Sequence, residues 1–170
     1  DVRAVEVIGV AHPPRGGFDA QRIGTMLHAW FAGTVVRPRD ASVAAALRDA
    51  FGTGRTLDTA ALLAMADALR AWIARRYPGF TVLPEAPVSY TLASGTTLRG
   101  SADLALASPD GVVVIDHKSH YGDGCDARAA EHWGQLRAYA EALADALGVP
   151  ALGCWVHLPL AGRMVQIGEA

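Results

Sequence analysis

With 170 residues, of which 51% are hydrophobic, the chain is long enough to bury a core and is predicted to form a single domain. Its formal net charge of −2 argues against tight, independent binding of nucleic acid, but it does not exclude a domain that receives its substrate from a larger assembly. No apolar run reaches the roughly 18 residues of a membrane span, no N-terminal signal sequence is present, and two cysteines are too few for a disulfide framework. We therefore predict a cytoplasmic protein without membrane contact.

The first half of the chain is predicted to be mostly helical. Residues 1–18 are interpreted as a linker or extension, in which Val5–Val10 could form a short strand, and the Asp at position 1 indicates a piece of a longer protein. Apolar residues then recur at helical spacing in three segments of a helical part that covers residues 19–79. The predicted helices run from Asp19 or Ala20 to Phe31, from Ala41 to Phe51, and from Asp58 to Tyr77.

Residues 80–170 change in character and predict a central mixed sheet. A polar loop, 119–126, leads into a predicted helix from Ala127 to Leu147, which Gly148 caps. Because this helix connects two strands, those strands should be parallel, as in a βαβ crossover. The expected fold is therefore mixed α/β or α+β, with an antiparallel hairpin and flanking helices. The predicted strands are Phe80–Leu83, Glu85–Leu92, Thr97–Ala107, Val112–Lys118, Ala151–Leu158 and Arg163–Ile167.

The hairpin of this region brings two carboxylates together. The four residues 108–111, Ser-Pro-Asp-Gly, have the composition of a tight turn, and pairing outward from it sets Asp103 opposite Asp116, or one residue away if the turn carries a bulge. Opposed Cβ atoms lie about 5 Å apart, a distance at which two carboxylates repel by roughly 3 kcal/mol. A cation would relieve this repulsion: either Lys118, on the same strand face as Asp116, or a divalent metal with oxygen ligands.

These three residues could instead be an ordinary surface ion pair at the strand ends. The preceding run Val112–Ile115 argues against this, because four consecutive apolar residues predict a strand that is buried on both faces. Polar residues at the end of such a strand lie at the carboxyl edge of the sheet, where ligands bind. The sequence therefore favours a hydrolytic site over a surface pair.

Five short segments follow one another in a fixed order: Gly24-Thr-Met-Leu-His28, Glu85-Ala-Pro87, Gly100-Ser-Ala-Asp103, Asp116-His-Lys118-Ser119 and Gln135-Leu-Arg-Ala-Tyr139. Together they resemble the PD-(D/E)XK nuclease superfamily, and more narrowly the RecB- or AddA-type nuclease domain of UvrD/Rep-like DNA-repair helicases. The resemblance implies a restriction-endonuclease-like core at residues 80–170 of one domain, 1–170, within a longer helicase–nuclease chain.

A catalytic metal, Mg²⁺ or Mn²⁺, is implied by the same resemblance. His28, Asp103 and Asp116 would bind it, with the backbone carbonyl of His117 as a further ligand. The iron–sulfur cluster of cysteine-rich RecB relatives is excluded, because this chain lacks the four thiolates. Considered alone, His28 could equally be a hydrogen-bonded core histidine.

The resemblance also assigns catalytic roles beyond the metal ligands. Lys118 would orient or help deprotonate the attacking water and stabilise the developing negative charge, as a fixed cation does in general. Gln135 and Tyr139 would lie near the metal or the DNA backbone, although residues four apart on a helix are also ordinary surface neighbours.

The implied activity is that of a metal-dependent deoxyribonuclease, either an exonuclease or an endonuclease. It would act on single strands at processed duplex ends in double-strand-break repair and recombination. Its partners would be DNA, the helicase motor domains of the parent chain, and a second subunit of an AddAB- or RecBCD-like complex. Two alternatives remain open: an inactive nuclease-like domain that guides DNA or a partner subunit, and a stand-alone RecB-like exonuclease.

Overall fold

Six strands form one mixed sheet with helices on both faces. The computed structural model describes residues 1–17, 19–91, 95 and 97–169. The strands are β1 (Val2–Val7), β2 (Thr81–Thr91), β3 (Thr97–Ser108), β4 (Gly111–His117), β5 (Ala151–Leu158) and β6 (Arg163–Ile167). The helices are α1 (Ala20–Thr34), α2 (Ala41–Ala50), α3 (Thr59–Arg76), α4 (Cys125–Ala129) and α5 (Trp133–Leu147), with 3₁₀ turns at Ala130–His132 and Pro159–Ala161.

The strand order across the sheet is β1-β6-β5-β4-β3-β2, and only β4 and β5 run parallel. The predicted crossover through α5 is therefore confirmed. The predicted hairpin register is confirmed as well, since Ser108 pairs with Gly111 and Leu104 with Ile115. None of the helices in the described part of the chain is long and apolar enough to cross a membrane.

All seven residues of β4 are buried, as the apolar run predicts. The strand divides two hydrophobic cores, because successive side chains point to opposite faces. One core lies under α1, α2 and α3, and the other lies under α5. The first core receives Val113 and Ile115 of β4, and the second receives Val112 and Val114.

Two predictions about secondary structure were wrong. Residues 2–7 are not a linker or extension, because β1 pairs with β6 and Glu6 accepts a 2.6 Å hydrogen bond from the Trp72 indole. The helix predicted from Ala127 to Leu147 begins earlier and is broken by the 3₁₀ turn at 130–132. Residue Leu92, the predicted end of a strand, lies outside the described residues.

The break in this helix has a tertiary cause. Cys125 and Ala129 of α4 are buried against the sheet, and Arg163 of β6 forms a 2.5 Å ion pair with Asp126. α5 instead packs along β4 and β5 through Leu136 and other small or apolar residues. Because the two helices are anchored to different strands, the axis must change direction between them.

A kink in β2 and β3 positions one of the predicted carboxylates. Pairing is regular at Pro84–Leu104 and at Ala86–Ala102, but it lapses between them, where Glu85 faces Asp103. Glu85 has a φ of 50°, the one positive value among the described non-glycine residues. The strand also changes face here, because Ala102 packs in the core under α5 whereas Leu104 packs in the other core.

The left-handed backbone of Glu85 generates a stability prediction. A side chain in this region costs about 1–2 kcal/mol, which glycine does not incur. We expect Glu85→Gly to raise the free energy of unfolding by about 1 kcal/mol relative to Glu85→Ala, which keeps the strain and removes the same carboxylate. Urea denaturation measures the difference. A Gly variant no more stable than the Ala variant would contradict the strain.

Candidate active site

The predicted carboxylates meet at the end of the β3–β4 hairpin. The ladder stops at Leu104 and Ile115, and Asp103 then bonds to β4 through its side chain: Oδ2 accepts from the backbone N–H of His117 at 2.8 Å. His28 of α1 lies against the other oxygen, with Nδ1 3.2 Å from Asp103 Oδ1. Its side chain is 35% exposed, so His28 is not a core histidine.

Asp116 lies beside Asp103 and His28, and its side chain is more deeply buried than either of theirs. The residue is only 6% exposed, and Lys118 Nζ lies 2.7 Å from its Oδ2. The ammonium compensates this oxygen as an ion pair, and no other donor among the described residues reaches it. Lys118 is held at the strand end by its own backbone N–H, which donates to His157 O at 2.9 Å. A surface ion pair is therefore excluded.

The two carboxylates differ in acidity for physical reasons. Burial, and then the charge of Asp103, raise the pKa of Asp116, although Lys118 opposes them. Burial alone would also raise the pKa of Asp103, but the hydrogen bond from His28 and the positive groups around it lower that pKa overall. The hydrogen bond to Asp103 in turn raises the pKa of His28. The pair is thus electrostatically uneven, with Asp116 the less acidic group.

The residues present fit a divalent cation by their chemistry. Two carboxylates and one imidazole are ligands that Mg²⁺ or Mn²⁺ accepts, and the buried Asp116 Oδ2 has no partner other than Lys118 among the described residues. Among the described residues, no three His, Cys, Asp or Glu side chains already surround one point. His28 and Lys118 occupy the carboxylate oxygens instead, so a bound ion would displace or share these contacts.

Comparison with known families identifies the chain. A family model described as the PD-(D/E)XK nuclease superfamily matches residues 4–166. The chain belongs to the PD-(D/E)XK nuclease superfamily. Its members generally use Mg²⁺ or Mn²⁺, and the six-stranded mixed sheet flanked by helices is consistent with their restriction-endonuclease-like fold. No curated protein matches the sequence.

Gln135 and Tyr139 lie on α5, one turn apart, and Gln135 Nε2 donates to Tyr139 Oη at 3.2 Å. They do not join the hydrogen bonds of His28 and Asp103; with Val88 and Tyr90 they line a separate apolar cavity of about 420 Å³. Tyr139 packs on Gly100, where a Cβ atom would lie 2.7 Å from Tyr139 Oη. A larger residue at position 100 would collide with Tyr139. This is a physical reason for the glycine three residues before Asp103 in this chain.

The side chain of His117 points away from the carboxylates. Its Nδ1 lies 3.0 Å from Nδ1 of His157, and Phe31 packs against both rings. Only its backbone carbonyl is therefore available for the role predicted from the sequence. His157 was not identified by sequence reasoning, although the parallel pairing of β4 and β5 sets it opposite His117.

Sequence reasoning also missed a second imidazole pair close to Lys118. His120 Nε2 lies 3.1 Å from His132 Nε2, and the rings stack with an interplanar angle of 19°. The motif spacing contains no signal for this pair, because it depends on the 3₁₀ turn that precedes α5.

The buried histidine pair, His117 and His157, makes the free energy of unfolding depend on pH. Burial lowers the pKa of His117 to about 4, whereas the unfolded chain titrates near 6.5. The unfolded state therefore binds more protons between these values, and stability falls as pH falls from about 6.5 to about 4, by on the order of 3 kcal/mol. Urea unfolding at several pH values should give a shallower slope for His117→Gln than for the wild type.

Identical slopes for His117→Gln and the wild type would contradict the assignment.

The contact between Tyr139 and Gly100 predicts a coupled pair of substitutions. Gly100→Ala introduces a Cβ atom into occupied space and should destabilise the fold by about 1–3 kcal/mol. Tyr139→Phe removes the Oη atom, so the double variant should recover much of that loss. A double-mutant cycle on unfolding free energies measures the coupling, and purely additive losses would argue against the contact.

Proposed function

We propose that this chain is a Mg²⁺- or Mn²⁺-dependent deoxyribonuclease domain whose metal is held by His28, Asp103 and Asp116, with the His117 carbonyl as a further ligand. The observation that carries the proposal is the buried Asp116 Oδ2 atom, whose one partner among the described residues is the Lys118 ammonium at 2.7 Å. A buried carboxylate with a single ionic partner keeps acceptor capacity for a further ligand such as a cation. Membership of a nuclease superfamily supports the same function.

The residues of the site have different roles in phosphodiester hydrolysis. A bound metal ion supplies Lewis acidity and lowers the pKa of a bound water. Asp103 is held by the backbone N–H of His117 at 2.8 Å, so its orientation does not depend on the ion. Lys118 Nζ provides a fixed positive charge next to Asp116, where negative charge would develop on the phosphoryl oxygens, and can hold the attacking water by hydrogen bonding.

The setting of this activity is part of the proposal. The five segments resemble RecB- and AddA-type domains, which favours a helicase motor in the parent chain, a second subunit, and a role in double-strand-break repair. A net charge of −2 favours delivery of the strand by such a motor over capture by this domain alone. The substrate would be single strands at duplex ends, cut exonucleolytically or endonucleolytically.

Cleavage assays with Mg²⁺ or Mn²⁺ on single-stranded DNA test the activity. Asp116→Asn and Lys118→Met keep the size of each side chain and should each lower the rate by at least about a hundredfold, because each removes a charge at the reacting phosphate. Asp110→Asn is the matched control, since this exposed carboxylate lies in the turn of the same hairpin. Metal-independent cleavage, or equal rates in all variants, would refute the proposal.

The single lysine of the chain permits a chemical version of this test. Lys118 is the only lysine among 15 basic residues, so reductive methylation modifies this side chain and the N-terminus alone. Methylation keeps the charge of the ammonium but removes hydrogen-bond donors, so a loss of cleavage would support the hydrogen bond to the attacking water, and unchanged cleavage would leave the fixed charge as the role of Lys118.

A second candidate function is a non-catalytic domain that guides DNA or a partner subunit. It is favoured by the internal pairing of His28 with Asp103 and of Lys118 with Asp116. Calorimetric titration with Mn²⁺ discriminates the two. Binding that Asp103→Ala abolishes rejects the degenerate site, and the absence of binding to the wild type favours it.

A further inference from the structure

Next to the candidate metal site, the residues that follow Lys118 line a cavity of about 620 Å³, which we call the flanking cavity. Ser119, His120 and Tyr121 form one wall, and Arg128 of α4 contributes a second. The first residues of α1, Ala20 and Gln21, close it from the other side. Ser119 of the cavity wall directly follows Lys118 in the chain, so the cavity adjoins the candidate metal site. A nucleic-acid strand bound at that site would run either into the cavity or away from it.

Positive charge is concentrated around this cavity. Arg128 makes no ion pair or side-chain hydrogen bond with any residue in the described ranges. Burial, and after it the nearby Arg128 and Lys118 charges, lower the pKa of His120, which places both cations near that ring. Glu131 is the one acidic group acting on His120 in the opposite direction. Lys118 is paired with Asp116, so the unpaired Arg128 guanidinium is the group that offers an anion a binding surface.

The wall that carries these groups is fixed in place. The His120–His132 hydrogen bond of 3.1 Å joins the 119–124 loop to the turn that precedes α5. The two rings bond through one nitrogen each, and neither makes a hydrogen bond to Arg128 among the described residues. Ser119 Oγ also donates to Ala20 O at 3.4 Å, which joins the loop to α1.

Tyr121 adds an aromatic surface to the same wall. Its side chain is 40% exposed although the loop around it is anchored on both sides. An exposed tyrosine next to an unpaired arginine matches what an unpaired nucleotide requires, because the base stacks on the ring and the phosphate pairs with the guanidinium.

We propose that the flanking cavity binds the nucleotide next to the phosphodiester that is hydrolysed, with Arg128 on its phosphate and Tyr121 stacked on its unpaired base. This inference rests on the proposed nuclease function and assigns the substrate strand a position on the protein. It makes Tyr121 a selectivity residue for single strands, because a paired base has no free face for the ring. Arg128 and Tyr121 are positioning residues and do not contact the reacting atoms.

Equilibrium binding of a fluorescent single-stranded oligonucleotide tests the proposal without metal and without cleavage. Arg128→Gln should weaken binding about tenfold at low salt and reduce the slope of log affinity against log salt by about 0.7, the contribution of one phosphate contact to a single strand. Tyr121→Ala should weaken binding between about fivefold and a hundredfold with the slope unchanged, and Tyr121→Phe should bind as the wild type does.

Arg75→Gln is the matched control, because Arg75 is an exposed arginine at the end of α3 that does not line the flanking cavity. It should leave affinity unchanged. A blunt duplex provides the second comparison, on which Tyr121→Ala should have little effect. Thermal unfolding verifies that the variants, all at exposed positions, are folded.

Three results would overturn the inference: no binding by the wild type at low salt, an unchanged salt slope for Arg128→Gln, or equal losses for single strand and duplex with Tyr121→Ala. The proposed function fails separately, if Asp116→Asn cleaves as the wild type does. If the protein binds as expected but does not cleave, the flanking cavity is supported as a binding site and the nuclease proposal is refuted.

Discussion

The structure depends on one constraint: the Asp116 carboxylate is buried at the end of a strand that is itself buried on both faces. Transferring a charged group out of water is expensive, so its surroundings must compensate it. Lys118 does so as an ion pair, 2.7 Å from Oδ2, and no other donor among the described residues reaches that oxygen. The strand end is thereby prepared for a cation or a reacting group, and the neighbouring elements are arranged around that position.

Asp103 meets the same requirement by different means. Its two oxygens contact the His117 backbone N–H and the His28 ring, so hydrogen bonds rather than a lysine hold the charge. The kink opposite Glu85 brings this about, because β3 changes face at the residue that must turn towards α1. Strain of this kind is characteristic of functional positions in proteins. The two carboxylates are thus near one another in space but differ in acidity.

The histidines show how context decides the role of one residue type. His117 and His157 form a neutral pair within the hydrophobic core, where Phe31 packs on both rings. His120 and His132 form a similar pair at the surface, and there the pair stabilises a loop next to two cations. The metal candidate His28 differs from both pairs, since its partner is a carboxylate.

The sequence alone determined the hairpin register, the burial of β4, the parallel crossover and the candidate residues His28, Asp103, Asp116 and Lys118. The register that brings Asp103 and Asp116 together, the burial of β4 and the crossover follow from turn composition, a run of apolar residues and the order of the elements, whereas His28 is a candidate only through the resemblance of the motifs to a nuclease family. Only the tertiary structure decided that residues 2–7 join the sheet, that the helix breaks before α5, and that His157 and Arg128 lie where they do. These features depend on contacts between residues far apart in the chain, for which the local pattern contains no signal.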